Sequence, residues 1–270
     1  MKAKKFIKEL VPPLLLRKIS SLFYGWHGNY SSWEEAASKT SGYQSDKIFN
    51  RVKEASLMVK DGEAVFERDS VIFDKVHYSF PVLSALAITA IQNKGKLNVL
   101  DFGGALGSSY YQNRLFFKDL ERFNWCVVEQ NHFVEEGQKN FADKHLHFFY
   151  DIESCMQSYD IDILLLSGVL QYLEKPYHFL ESILSKNIQY IIIDRQPLTS
   201  LKSDRITIQT VPKNIYKAQY PCWILNEKKL LDCITTKYDL MFEQKTEETI
   251  NLNETNFKAF FFKRSFKVID

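Results

Sequence analysis

Clustered cysteines are missing from this sequence. Its four cysteines, Cys126, Cys155, Cys222 and Cys233, are scattered through 270 residues and include no CxxC pair. That excludes the ligand spacing of a structural zinc site and the disulfide framework of a small secreted domain, and it points to reduced thiols in a cytoplasmic protein. A block of like charge is missing too. Lys and Arg number 35 against 33 Asp and Glu, a formal net charge of +2, so nucleic acid is not an expected partner. No stretch approaches the ~20 apolar residues needed to cross a bilayer. Neither an internal repeat nor a low-complexity segment is present. The start carries Lys2, Lys4, Lys5 and Lys8 ahead of Val11-Pro12-Pro13-Leu14-Leu15-Leu16, a run broken by two prolines and closed by Arg17. A signal peptide needs a longer apolar run and a small-residue cleavage site. The segment reads as a loosely packed leader, or as a basic apolar arm in weak contact with an anionic membrane surface. The expected location is the cytoplasm, peripheral to the inner membrane under the second reading.

What is present is an ordinary globular composition, 45% hydrophobic and 25% charged, enough for one large domain with an N-terminal extension. Aromatic residues reach 14%, with 21 Phe and 14 Tyr. They suit a Phe-rich core, or an acceptor pocket lined with rings. Residues 20–45 read as irregular structure around a short helix near Trp33–Ser38. Apolar Ile48, Phe49, Val52, Ala55, Met58 and Val59 recur at helical spacing over 46–60, and Pro81 opens a second helix to about Gln92. From Leu97 onward strands and helices alternate. Strands are expected at 97–100, 125–128, 146–149, 161–166 and 190–193, the fourth of them a continuous apolar run. Such alternation calls for a parallel sheet covered on both faces. Residues 238–242 and 257–263 read as two final strands. On this division residues 1–96 form an N-terminal helical cap, 97–270 the ligand-binding domain, and 195–237 an insertion within it.

The chemistry concentrates at strand ends. Val99-Leu100-Asp101-Phe102-Gly103-Gly104-Ala105-Leu106-Gly107 sits where a strand meets a helix, the context that gives a glycine loop meaning. Glycines let the backbone approach a ligand, and the helix N-terminus behind them offers N–H groups to an anion. An acid at the strand end, Asp101, suits an amine-bearing ligand better than a pyrophosphate. The dinucleotide fingerprint GxGxxG fits poorly, because from Gly103 it meets Ala105 and Ser108 where glycines are required. Glu129, 28 residues after Asp101, ends the second strand with Gln130 beside it. A carboxylate there can accept hydrogen bonds from both ribose hydroxyls of a nucleoside.

Asp-x-Gly-x-x-x-Gly at 101–107 resembles the first motif of class I S-adenosylmethionine (SAM)-dependent methyltransferases, with Ala105 where many members have a middle glycine. The resemblance implies a Rossmann-like α/β fold: a seven-stranded, mostly parallel sheet closed by a C-terminal antiparallel hairpin, with SAM as cofactor. It also implies that Asp151, with Ile152 beside it, contacts the adenine. Ser167 opens a segment, 167–173, similar to the motif after the fourth strand, with Tyr172 where many members carry His. A narrower resemblance covers nearly the whole chain. It is to bacterial methyltransferases met among surface-polysaccharide biosynthesis genes. It rests on 67–74 (ERDSVIFD), 78–81 (YSFP), 193–197 (IDRQP) and 220–223 (YPCW), segments with no assigned roles. The implied acceptor is a sugar or phosphate-linked group of a surface-glycan precursor, or another small molecule.

Methyl transfer to a hydroxyl needs alignment and a base for the acceptor proton, but no metal. Candidate bases are His77, Asp194, Tyr172 and His178, with His77 foremost because it lies between two of the quoted segments. Tyr78, Tyr220 and Trp223 suit stacking on a sugar face, and Arg195 suits an anionic group. Each of these side chains has a core or surface-pair role as its alternative. Two rival functions remain: an NAD-dependent enzyme acting on a nucleotide sugar, and a non-catalytic scaffold of the same fold in glycan assembly.

Overall fold

The structure is a computed structural model that describes residues 24–40, 46–212 and 218–265, so the basic start at 1–16 lies outside the described residues. The N-terminal part forms β1 (Gly25–Tyr30), α1 (Trp33–Ser38), α2 (Asp46–Lys60), a hairpin of β2 (Phe66–Arg68) and β3 (Val71–Phe73), and α3 (Phe80–Gln92). Alternation follows with β4 (Lys96–Phe102), α4 (Ser108–Phe117), β5 (Arg122–Val128), α5 (Asn131–Asn140), β6 (Leu146–Phe149), α6 (Ile152–Ser158) and β7 (Ile163–Ser167). After a 3-10 turn at Leu170–Tyr172 come α7 (Pro176–Leu184), β8 (Tyr190–Thr199), β9 (Arg205–Thr210), β10 (Gln219–Asn226) and α8 (Glu227–Ile234). The chain closes with β11 (Tyr238–Lys245) and β12 (Thr255–Arg264).

Seven strands lie in the order β6-β5-β4-β7-β8-β12-β11, with β12 alone antiparallel to its neighbours. This is the hairpin-closed sheet the sequence predicts. Consecutive strand residues serve opposite faces, and both faces are covered. Val99, Val127, Leu165, Ile192 and Phe261 join one core with residues of α2 to α5. Leu100, Cys126, Leu164, Ile191 and Phe260 join the other with residues of α6 to α8.

The sheet is larger than expected. β8 continues to Thr199, and its far end pairs in parallel with Leu225 and Asn226 of β10. Antiparallel pairing of β10 with β9, and of β9 with β1, then extends the sheet to ten strands. The segment read as irregular thus contributes β1, and the insertion contributes two strands and a helix. β1 carries no apolar alternation, and its partner lies far along the chain (Gly25 opposite Thr210). Among its described residues the 1–96 segment, read as helical, holds three strands besides its helices. Its β2–β3 hairpin turns on Asp69 and Ser70 at φ of +52° and +65°, without the glycine that marks such turns in sequence. Among the described residues no helix is long and apolar enough to cross a membrane.

Gly137 of α5 lets that helix settle on β6. A Cβ there would meet Phe148 ring atoms at 2.4–2.6 Å. Gly137→Ala is therefore expected to lower stability by about 1–3 kcal/mol through overpacking, read as a lower denaturant midpoint. An unchanged midpoint would show that the ring yields without cost.

Candidate active site

Strand order reverses between β4 and β7, since β5 and β6 extend to one side and β8 to the other. Parallel sheets hold ligands in the crevice that such a reversal opens outside the strands' carboxyl ends. Residues 103–107 occupy that position. Gly103 and Gly107 take φ of +75° and +92°, and Ala105 takes +50°. The last holds a left-handed conformation that costs an L-residue about 1–2 kcal/mol and that glycine adopts freely. Close approach fixes the other positions. A Cβ on Gly103 would stand 2.7 Å from Val169 Cγ2, and one on Gly104 would stand 2.5 Å from Asp101 Oδ2. Gly107 is the N-cap of α4 and supplies no capping side chain.

Asp101 is 2% exposed beneath this loop, and its Oδ2 accepts the Trp125 Nε1–H at 3.0 Å. Burial pushes its carboxyl up to about 7, against the pull of the Trp125 hydrogen bond. Glu129, just past β5, accepts the Gln130 backbone N–H at 2.7 Å. Burial raises its pKa, while the Gln130 and Ala105 amides oppose the shift. Asp151 is the N-cap of α6, accepting the Ser154 N–H at 2.7 Å, and that bond holds its carboxyl below the usual range. Ile152, in the same first turn, is buried.

A cavity of about 780 Å³, including its open mouth, lies between the loop, the middle of β8 and the β2–β3 hairpin. Asp101, Gly103, Gly104, Ala105, Ser167, Asp194 and Arg195 all line it. Neighbouring strand residues ordinarily point to opposite faces, yet Asp194 and Arg195 share this wall. The ladder to β12 explains why. Ile193 pairs with Phe260 and Gln196 with Lys258, so two residues of β8 oppose the single Ala259. This is a β-bulge, with Arg195 at φ +53°. Asp194, 1% exposed, accepts the Ser79 hydroxyl on Oδ1 at 3.0 Å and the Ser167 hydroxyl on Oδ2 at 2.8 Å. Burial raises its pKa against the pull of Arg195. Arg195 donates from Nε to Ser167 Oγ at 3.3 Å and from a terminal nitrogen to Asp69 Oδ2 at 3.2 Å. Burial disfavours its charge, but Asp69, Asp194 and Glu248 more than offset that and raise its pKa. Glu67, 2% exposed, accepts the Ser108 hydroxyl and, at 3.3 Å, the Ser70 N–H. Burial pushes it up to about 7.

Glu67, Asp69 and Ser79 belong to segments that carried no role in the sequence. Three of the four such segments meet here, through contacts that no local spacing announces. The fourth, 220–223, lies in β10. Trp223 stacks on Trp33 at 6.1 Å and donates to the Glu174 carbonyl at 3.3 Å. Tyr220 packs edge-on against Tyr172 at 5.2 Å, and the Tyr172 hydroxyl donates to Gln209 Oε1 at 2.7 Å. His77 lies edge-on to Phe73 at 5.1 Å and its carbonyl accepts the Gln112 amide, while Tyr78 packs on Phe116 at 5.3 Å. His178 is exposed on α7. Among the described residues, the cavity wall includes none of these rings.

No family profile and no curated protein matches the chain. Solved structures do. The N-terminal domain of EvdMO1, with S-adenosylhomocysteine (SAH) and D-fucose, superposes at a TM-score of 0.50 with 13% identity, over 81% of this chain and 96% of its own. The 1,6-didemethyltoxoflavin-N1-methyltransferase of Burkholderia thailandensis, with its namesake compound and SAH bound, gives 0.44 and 13%, over 89% and 94%. Magnesium protoporphyrin IX methyltransferase from Synechocystis PCC 6803, with bound SAM, gives 0.44 and 13%, over 84% and 100%. Strand order and the EvdMO1 likeness together establish a Rossmann-like α/β fold of the class I methyltransferase type.

Proposed function

We propose that this protein is a SAM-dependent methyltransferase acting on a hydroxyl of a sugar or phosphate-linked group in a surface-glycan precursor. The observation that carries the reading is the bare, left-handed loop 103–107 seated on Asp101 at the sheet's switch point. Its residues fit the cofactor. The backbone at Gly103 and Gly104 and the N-terminus of α4 suit the methionyl carboxylate, Asp101 suits the ammonium, and Glu129 suits the ribose hydroxyls. Gln130, Asp151 and Ile152 would flank the adenine, with Ser167 on the far side of the crevice. When bound, SAM supplies a methyl group on a sulfonium, whose departing thioether needs no proton. Alignment of the acceptor is then the protein's main task, worth roughly 7–11 kcal/mol when well done. Its second task is to accept the acceptor proton. Asp194 has the best position for this, because it reaches the cavity wall where the His77 and Tyr172 rings do not.

The sugar acceptor is supported by the resemblance at 67–74, 78–81 and 193–197, and by the D-fucose present with SAH in the EvdMO1 domain. Arg195, 20% exposed, is one of two arginines on the cavity wall, with Arg68, and is the one placed beside Asp194 for a phosphate; its partner Asp69, 67% exposed, can be displaced into water.

SAM and SAH are expected to bind in the low micromolar range or somewhat weaker, and NAD not to bind. Glu129→Ala should weaken SAM by about 1.5–3 kcal/mol, the scale of hydrogen bonds to a charged group. Unchanged affinity by calorimetry in that variant would remove Glu129 from the site. The decisive assay offers labelled SAM with lipid-linked oligosaccharide, nucleotide sugars, protein and RNA in parallel. Label confined to protein or RNA would overturn the glycan acceptor and leave the methyltransferase reading in place. Absence of both SAM binding and label would overturn both.

A further inference from the structure

We propose that Ser79 is the proton relay of this site: its hydroxyl receives the proton of an acceptor hydroxyl and passes its own to Asp194. The proposal rests on the methyltransferase reading and adds to it a residue that the sequence left without a role.

Ser79 stands at the N-cap position of α3, where a serine ordinarily binds one of the helix's first N–H groups. It makes no capping bond. Pro81, at the second helical position, has no N–H to be capped, so part of the usual competition for the hydroxyl is gone. The hydroxyl turns to Asp194 Oδ1, 115 residues along the chain, at 3.0 Å. That distance and the position of both residues on the cavity wall carry the inference.

The two serines on Asp194 differ. Ser167 donates to Oδ2 and receives the Arg195 Nε–H, so its hydroxyl is held on both sides. Ser79 donates to Oδ1, and no described residue donates to its oxygen, which leaves acceptor capacity for a hydroxyl in the cavity. Asp194 itself is 1% exposed and each of its oxygens already holds a serine. The short path from cavity to carboxylate therefore runs through Ser79. Charges facing Asp194 are Arg195 and, of like sign, Glu248. Arg195 keeps an anionic partner when Asp194 takes a proton, either Asp69 or an acceptor phosphate that displaces it, so the cation is not left alone.

The ledger closes without an oxidant or reductant. A carbon–oxygen bond forms at the acceptor as the methyl–sulfur bond breaks, with that electron pair going to sulfur. The acceptor proton moves to Ser79 Oγ, the Ser79 proton moves to Asp194 Oδ1, and solvent restores the carboxylate after product leaves.

The test uses the full chain labelled with carboxyl-13C aspartate, its Asp194 signal identified by its loss in Asp194→Asn. Ser79→Ala should raise the Asp194 titration midpoint, because a hydrogen bond to the ionised form is lost. SAH affinity should stay within twofold, and Ser79→Thr should restore the midpoint. With whichever fraction the labelled-SAM assay identifies as acceptor, Ser79→Ala should lower kcat about 100-fold or more, the range of general acid–base catalysis. KM should change little, and Ser79→Thr should recover most of the rate. An Asp194 titration unchanged in Ser79→Ala, or wild-type kcat in that variant, overturns the relay. If wild-type protein labels no fraction, the methyltransferase reading fails and the relay falls with it, a result distinct from an active enzyme indifferent to Ser79.

Discussion

Gly104→Val is expected to weaken SAH binding by at least about 100-fold, roughly 2.8 kcal/mol at 1.4 per decade, while the protein remains folded. A Cβ at 104 would fall 2.5 Å from Asp101 Oδ2, 2.6 Å from Cγ and 3.0 Å from Oδ1. A flexible neighbour could move aside at little cost, but Asp101 is not one. It is 2% exposed, lies within β4 and is held by Trp125 at 3.0 Å. The loop must lift instead, and it would carry with it the peptide groups proposed to meet the methionyl carboxylate. With the loop lifting while Asp101 and Trp125 stay in place, the apolar cores on the two faces of the sheet are left packed, so the unfolding transition should stay cooperative. Calorimetry with SAH is the measurement, with circular dichroism as the check on folding. Affinity within threefold of wild type would show that the loop's seat on Asp101 is not what shapes the site.

The ligand-free protein should become less stable as pH rises from about 5 to 8, opposite to the behaviour of proteins dominated by paired surface carboxylates. Glu67 and Asp101 each titrate at about 7 in the fold, against ordinary values of 4.5 and 3.8, because burial disfavours their charged forms. Below the ordinary values both states hold the protons. Between those values and about 7, unfolding releases a proton from each group, so stability falls with rising pH, and above about 7 the loss is complete. At 1.36 kcal/mol per unit the loss is about 3–4 kcal/mol for each group at most. Asp194 and Glu129, also raised chiefly by burial, act in the same direction. Carboxyls held low, such as Asp151 through its hydrogen bonds to Ser154, act in the opposite sense and only at acid pH. Denaturant unfolding at pH 5.5 and 8 measures the difference. SAH should narrow it, since its ammonium would favour ionised Asp101, and binding near pH 7 should release protons in buffers of differing ionisation enthalpy. Greater stability at pH 8 than at 5.5 without ligand would mean that these carboxyls are ionised in the fold.

The legible part of this protein is the part written locally. β4, β5 and β7 each carry a short apolar run with Asp101, Glu129 or Ser167 directly after it, so strand, strand end and candidate ligand are legible together. The wing, the β10-β9-β1 extension of the sheet, is not legible in the sequence for a physical reason. Ile206 and Ile208 alternate in β9, but Thr207 between them is also fully buried, so the pattern does not mark one wet face. β1 has no pattern and forms only because β9 is there to pair with it. Chemistry alone points to the ring-bearing candidates. Tyr172, Tyr220 and Trp223 find hydrogen bonds and stacking partners around the wing, which satisfies them without any ligand. Glu67 with Ser108, Asp69 with Arg195 and Ser79 with Asp194 are tertiary pairings, and only the folded chain shows them.

Because β8 is a member of both the central sheet and the wing, the two halves of the molecule are joined through one backbone rather than across a surface. Two domains meeting at an interface can swivel, and the distance between a donor held by one and an acceptor held by the other then fluctuates. Here the bulge at Asp194 and Arg195 lies at the midpoint of a single strand, paired along its length with β12, and with β7 before the bulge and β10 after it. Any scaffold that the wing provides for an acceptor is thereby indexed to the 103–107 loop, the proposed cofactor seat, with the tolerance of a hydrogen-bonded ladder. In-line transfer, where a misplacement of about 1 Å can cost two orders of magnitude, is the kind of chemistry that such shared framing suits. It also leaves the outer edge at β1 open to change, so new acceptors could be accommodated there without re-registering the reacting atoms.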